Sequence, residues 1–135
     1  MFKKKDLDPL FVPLYNAFEG KLLGTNWLKQ CVCETIYKMP IAIQSFITQN
    51  CWFMGSIDDA WAFTFTGNDL KNQHLIFLSD DLLLQEKDQI TFTIAHEIGH
   101  VILKHRNSTL VKQSKNEINR QEKEADDFAK EFVSL

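Results

Sequence analysis

The chain has 135 residues and is mildly acidic, because 15 lysines and arginines against 18 aspartates and glutamates give a formal net charge of −3. This length suits one domain, residues 1–135, with a core of its own, and is too short to include a separate DNA-binding module. The charge gives no general attraction to nucleic acid, so direct binding to DNA or RNA is not expected. A hydrophobic content of 44% with 11 phenylalanines excludes a disordered chain.

The first residues resemble the basic start of a signal peptide, since Lys3, Lys4 and Lys5 follow Met1-Phe2. Asp6, Asp8 and two prolines then interrupt the segment where the apolar part of a signal peptide would lie, and no stretch approaches the roughly 18 apolar residues of a membrane span. Three cysteines are few and odd in number, which fits a reducing compartment. We therefore expect a cytoplasmic protein without membrane association.

The N-terminal part, residues 1–50, is predicted to be helical. Asp8-Pro9 is a typical helix start, with a capping carboxylate before a proline at the first helical position. Apolar residues recur at helical spacing from Trp27 to Met39. On that helix Cys31 and Cys33 diverge by roughly 200°, so they are expected to pack in the core and not to bind one metal ion together.

A change of period predicts strands in the middle of the chain. The segment 51–54 is apolar and fits either a strand or a buried loop. Apolar and small residues alternate over 61–66, a turn follows at 67–69, and 74–78 has the composition of a second strand. The sequence therefore predicts an antiparallel hairpin over 60–78, which either holds a peptide at its edge or only covers the helices.

A helix over 88–106, capped by Asp88, contains the pattern H-E-x-x-H. His96 and His100 are four residues apart, so both rings lie on one face and can bind one metal ion. Glu97 lies beside that ion, where its carboxylate can accept a proton from water. This pattern is typical of a zinc hydrolase with one Zn²⁺ per chain. The alternative is two histidines on a helix surface with an exposed glutamate between them.

The opposite face of this helix is apolar and is expected to pack in the core. Gly99 weakens a helix interior by up to about 1 kcal/mol relative to alanine, which indicates that backbone or substrate passes close to it. His105 falls in the apolar sector near the helix end, and we expect a packed or capping histidine there in preference to a fourth ligand.

A third ligand is expected from a second helix over 118–133, because catalytic zinc usually has three protein ligands. Glu122 and Asp126 fall within the apolar face of this helix, and buried carboxylates require a partner. Glu122 as metal ligand, with Asp126 accepting the N–H of a ligand histidine, meets that requirement. The alternative is a solvated acidic helix with both carboxylates at its rim. The polar connector 107–119 is expected to be a solvated loop that contacts a protein substrate.

These two helices resemble the ImmA/IrrE family of small bacterial and phage metallopeptidases. The resemblance covers about the last 45 residues and rests on His96-Glu97-Ile98-Gly99-His100, followed about twenty residues later by the residues of the family's second motif: Glu122, Glu124, Ala125, Asp126, Phe128 and Ala129. It implies an α+β, zincin-like domain with a small antiparallel sheet and a gluzincin-like site. In such folds an edge strand before the active-site helix holds the substrate, which implies substrate contacts at His74 and Ile76.

The resemblance also implies a function, a peptidase that cleaves a helix-turn-helix repressor of a phage or mobile element. Its partner would then be a protein substrate, with no direct contact to nucleic acid. Two other possibilities stay open on the sequence alone. One is a metal-binding regulatory protein that acts by contact without hydrolysis, and the other is a partner in a toxin–antitoxin or stress-response system.

Overall fold

The computed structural model describes residues 7–55, 73–105 and 114–134. It confirms the α+β class, with helices packed around a small sheet. After a 3₁₀ turn at Pro9–Phe11, the helices and strands follow in the order α1 (Val12–Ala17), β1 (Leu22–Leu23), α2 (Asn26–Tyr37), α3 (Ile41–Asn50), β2 (Cys51–Gly55), β3 (His74–Leu78), α4 (Asp80–Leu83), α5 (Lys87–Ile102) and α6 (Lys115–Phe132).

The described N-terminal part is mainly helical, as predicted, although the two-residue strand β1 also lies within it. Short polar side chains cap two of its helix starts. The Asp8 carboxylate accepts a hydrogen bond from the Leu10 N–H, with Pro9 at the first helical position. The Thr25 hydroxyl accepts one from the Leu28 N–H at the start of α2. These bonds satisfy N–H groups that have no partner within the helix.

The cysteines are packing residues, as their spacing predicts. Cys31, Cys33 and Cys51 are all buried in the hydrophobic core and form no disulfide. Burial raises the pKa of Cys33 and of Cys51 to about 12, because the charged thiolate is penalised away from water. Both thiols therefore stay protonated at neutral pH.

The sheet has the order β1-β2-β3 among the described residues, and both of its strand pairs are parallel. Leu22 pairs with Phe53, and β2 and β3 run in register from Cys51 opposite His74 to Gly55 opposite Leu78. The segment 51–54, which fits either a strand or a loop by sequence, is the central strand.

The predicted antiparallel direction is wrong for this sheet, although the strand at 74–78 is confirmed. β3 pairs with β2 in parallel, and the long connection between these two strands permits that direction, whereas a tight turn would not. The first predicted strand of the hairpin, 61–66, lies outside the described residues.

Helix α5 begins and ends earlier than predicted. Glu86 is its N-cap residue, without a capping side-chain hydrogen bond, and Asp88 lies in the first turn, so the predicted cap is wrong. The helix ends at Ile102 because Lys104 adopts the left-handed conformation, with φ of 57°.

Helix α6 begins three residues earlier than predicted, at Lys115. The Ser114 hydroxyl caps it by accepting a hydrogen bond from the Glu117 N–H. Residues 115–119 are therefore helical, and the predicted solvated loop is wrong there, while 107–113 lie outside the described residues.

The core lies between α5, α2 and the sheet, with α6 packed along α5. Phe18 and Phe53 meet edge to face in it, with ring centroids 5.7 Å apart. The predicted apolar face of α5 is confirmed, since Ile90, Ile94 and Ile98 are fully buried. Within the described ranges, no helix is both long and apolar enough to cross a membrane.

Candidate metal centre

Three predicted ligands meet where α5 and α6 pack together. Nε2 of His96 lies 3.1 Å from Nε2 of His100 and 3.0 Å from Oε2 of Glu122. Nε2 of His100 lies 3.2 Å from Oε1 of Glu122. These residues form a group whose ligand atoms all lie within 4.8 Å of one another.

The spacing of these atoms fits a metal ion. Ligand atoms at about 2.0–2.1 Å from a tetrahedral zinc are about 3.3 Å apart, close to the distances between His96, His100 and Glu122. Two imidazoles and one carboxylate are a ligand set of catalytic zinc, which keeps its fourth position open. The residues present therefore fit the metal that the sequence pattern predicts.

Asp126 contacts the first of these histidines. Its Oδ1 lies 2.7 Å from Nδ1 of His96. A carboxylate only accepts, so His96 donates this hydrogen bond from Nδ1–H. In neutral His96 the proton is then on Nδ1, and the lone pair of Nε2 faces His100 and Glu122. This is the tautomer that binds a metal through Nε2.

The surroundings of His100 favour its neutral form. Partial burial lowers its pKa, and the neighbouring His96 lowers it further, while Glu122 and Glu97 act in the opposite direction. A histidine must be neutral to bind a metal ion. The environment of His100 therefore favours the state that the proposed site needs.

The two acidic residues of α6 are less buried than the sequence suggested. The side chain of Glu122 is 53% exposed and that of Asp126 is 46% exposed, whereas those of His96 and His100 are only 14% and 15% exposed. The expectation of buried carboxylates on the apolar face is therefore wrong. Both residues lie at the rim of that face and contact the histidines from there.

Glu97 lies in a cleft next to the predicted ligands. A cavity of about 260 Å³ between α5 and the start of β3 is lined by Glu97 and His100 on one side and by His74 and Ile76 on the other. His74 is exposed and lines this space, whereas Ile76 is only 5% exposed and packs into the core. Ile76 therefore presents little surface to the cleft.

Gly99 allows α6 to approach α5 closely. A methyl group at this position would lie 3.0 Å from Cδ1 and 3.2 Å from Cβ of Phe128. The close approach that the glycine indicates is therefore made by a side chain of the neighbouring helix, and not by backbone or substrate as predicted. It brings the face of α6 that carries Glu122 and Asp126 up to the histidines.

One part of the site was missed by sequence reasoning. His105 is packed near the end of α5, as predicted, but its ring contacts both His100 and Glu124. The residue pattern of α6 alone indicates no role for Glu124. The five-residue spacing of His100 and His105 predicts their contact only if the helix is known to end between them.

Comparison with known proteins supports a peptidase function. Residues 87–134 match the model of a peptidase family described as Peptidase U49. The matched segment covers about a third of the chain and spans α5 and α6, which carry the candidate metal centre. The match supports a peptidase family without specifying the ImmA/IrrE family. Comparison with curated proteins and with solved structures finds no match.

Proposed function

We propose that this chain is a zinc-dependent peptidase, with His96, His100 and Glu122 as metal ligands and Glu97 as general base. The observation that carries the proposal is the convergence of the three ligand atoms, with separations of 3.0–3.2 Å, beside a cleft that Glu97 lines. The family match over these same two helices supports the peptidase part of the proposal.

Each residue of the site then has a distinct task. A bound zinc ion supplies Lewis acidity, which polarises the scissile carbonyl and makes water acidic enough to react at neutral pH. Glu97 accepts a proton from the attacking water and delivers it to the leaving amine. Asp126 holds His96 in the tautomer that has Nε2 free for the metal.

The cleft between α5 and β3 is the proposed place for the substrate. Among the described residues β3 pairs with β2 alone, and its first residues line the cleft opposite Glu97. An extended peptide laid along β3 would gain main-chain hydrogen bonds and little side-chain selectivity. His74 and the backbone of Ile76 are the contacts we propose on this side.

The proposed substrate is a helix-turn-helix repressor of a phage or mobile element. Its support is the resemblance of the two helices to the ImmA/IrrE family. The first proteins to test are repressors of this kind that are encoded by genes beside the gene for this chain.

The test compares three proteins, the wild type, Glu97→Gln and Glu131→Gln, on a peptide mixture made by digesting a bacterial proteome. New peptide termini are identified by mass spectrometry, and bound zinc is measured by elemental analysis after dialysis. Glu131 lies on the exposed side of α6, so its variant controls for the loss of one carboxylate. We expect cleavage by the wild type and by Glu131→Gln, and none by Glu97→Gln, with equal zinc in all three.

Other outcomes are equally informative. Cleavage by Glu97→Gln at the wild-type rate would contradict the proposed mechanism. A wild type that binds one zinc per chain but cleaves neither the peptide mixture nor a neighbouring repressor would favour the regulatory, metal-binding alternative. A wild type without bound metal would contradict the zinc site itself.

A further inference from the structure

His105 lies directly behind the ligand His100. Nδ1 of His105 is 2.9 Å from Nδ1 of His100, and the two rings meet with centroids 5.1 Å apart. On its other side, Nε2 of His105 is 2.8 Å from Oε1 of Glu124. The side chain of His105 is only 6% exposed. His105 therefore connects a ligand histidine on α5 to a carboxylate on α6.

The end of α5 places His105 there. The His105 N–H donates to the His100 carbonyl at 2.9 Å, and the Lys104 N–H donates to the Val101 carbonyl at 3.1 Å. With Lys104 at φ of 57°, these two bonds form a Schellman motif. That motif brings the second residue after the cap next to the residue five positions earlier. Here the pair in contact is His105 and His100.

The direction of the hydrogen bonds follows from Glu124. A carboxylate accepts, so His105 donates from Nε2–H, and neutral His105 then has a lone pair on Nδ1. That lone pair accepts from Nδ1–H of His100. The proton of His100 is thereby fixed on Nδ1, and its Nε2 is left with a lone pair facing Glu122 and His96.

We propose that His105 and Glu124 form a positioning pair, which holds His100 in the tautomer and orientation that bind the metal. The proposal rests on the zinc site proposed above. The pair fixes the Nδ1 proton of His100 as Asp126 fixes that of His96. The difference is that the imidazole of His105 lies between the carboxylate and His100. Arg120 lies 3.5 Å from the other oxygen of Glu124, which leaves Oε1 directed to His105.

The first experiment measures zinc affinity by competition with a chelator for four proteins. His105→Phe keeps a ring of similar size without polar atoms, and His105→Gln restores an acceptor and a donor. Loss of such an outer hydrogen-bond partner lowers metal affinity by about 10–100-fold. We expect that loss in His105→Phe and a smaller one in His105→Gln. Glu131 is an exposed residue of the same helix as Glu124, so Glu131→Ala should bind zinc with wild-type affinity.

The second experiment reads the tautomers directly. Long-range ¹⁵N–¹H correlation spectra of the zinc-loaded wild type should show His105 protonated at Nε2 and His100 protonated at Nδ1. A packed histidine without a positioning role would leave zinc affinity unchanged in His105→Phe. That result, or a proton on Nδ1 of His105, would overturn the proposal.

These measurements separate the two proposals. If His105→Phe binds zinc as tightly as the wild type while the wild type cleaves peptides, the positioning pair is wrong and the peptidase stands. If His105→Phe loses affinity but no protein cleaves, the peptidase is wrong and the pair stands. If the wild type binds no zinc, both are wrong.

Discussion

Oδ1 of Asp126 lies 2.7 Å from Nδ1 of His96, and this contact joins α6 to α5 at the candidate metal centre. Helix α6 also supplies Glu122 and Glu124, so the packing of one helix pair determines both the proposed ligands and their hydrogen-bond partners. Changes in that packing should therefore alter metal binding before they alter the rest of the fold.

Replacing Asp126 should weaken zinc binding without unfolding the protein. We expect Asp126→Ala to lower zinc affinity by about 10–100-fold, because His96 loses the partner that fixes its tautomer. Asp126→Asn should lower zinc affinity by less, since the amide oxygen still accepts the hydrogen bond. Chelator competition measures both. Asp127→Asn is the control, because Asp127 is exposed and pairs with Lys123; wild-type affinity in Asp126→Ala would contradict the assignment.

Replacing Gly99 should loosen the contact between the two helices. Alanine gains about 1 kcal/mol in helix propensity, but overpacking costs about 1–3 kcal/mol. The Cβ of Phe128, 3.2 Å from the added methyl, can move only with the backbone of α6. We expect Gly99→Ala to lower the free energy of unfolding by about 1 kcal/mol and to weaken zinc binding.

Urea denaturation and chelator competition measure these two effects. Gly99→Ala combined with Phe128→Ala removes the ring contacts and should recover part of the zinc affinity lost in Gly99→Ala. A Gly99→Ala protein with wild-type stability and wild-type affinity would show that α6 adjusts without disturbing the site.

Local patterns predicted the parts of the structure that depend on local spacing. The four-residue spacing of His96 and His100 places both rings on one face of any helix, and the apolar period of α5 determines which face is buried. The contact of Asp126 with His96 also followed, because Asp126 lies one turn beyond Glu122 on α6. The strand at 74–78 was also predicted from its local composition, and the structure confirms it.

Features that depend on tertiary contacts were not predicted. Alternation identifies a strand but not its partner, so the parallel pairing of β3 with β2 could not be deduced. The exposure of Glu122 depends on how α6 packs against α5, which the spacing within α6 does not determine. The contact of His105 with His100 depends on the left-handed residue Lys104, and lysine does not signal a helix end as glycine does.

Lys104 itself provides a test of how α5 ends. A residue with a side chain is strained at φ of 57°, and glycine is not, so Lys104→Gly should raise the free energy of unfolding by up to about 1 kcal/mol. Zinc affinity should not change, because the hydrogen bonds of the cap are retained. Lys104→Val should lower both the free energy of unfolding and the zinc affinity, since a branched side chain disfavours this conformation. Thermal unfolding measures the stability, and Lys104→Ala controls for the lost charge.

If Lys104→Gly were less stable than the Lys104→Ala control, the left-handed cap would be wrong. Equal zinc affinity in Lys104→Val and in the wild type would show that His105 keeps its position without this cap.

The buried thiols of Cys33 and Cys51 should be unreactive in the folded protein. Their pKa of about 12 leaves almost no thiolate at pH 8, and both side chains are fully buried. We expect iodoacetamide to modify neither residue in native protein at pH 8 and to modify both in urea, as mass spectrometry of digested samples would show. Rapid modification in the native state would contradict their burial.

The same thiols make stability depend on alkaline pH. Folding raises their pKa from 9.0 to about 12, so between these values the unfolded chain has lost protons that the folded chain retains. Their contribution is fully present below pH 9 and is lost as pH rises toward 12, by up to about 1.4 kcal/mol per pH unit for each thiol. Removing one thiol should therefore make the decline of unfolding free energy with pH shallower. Urea denaturation of the wild type and of Cys33→Ala between pH 8.5 and about 10.5 measures this, and identical slopes would mean that Cys33 is not buried as a thiol.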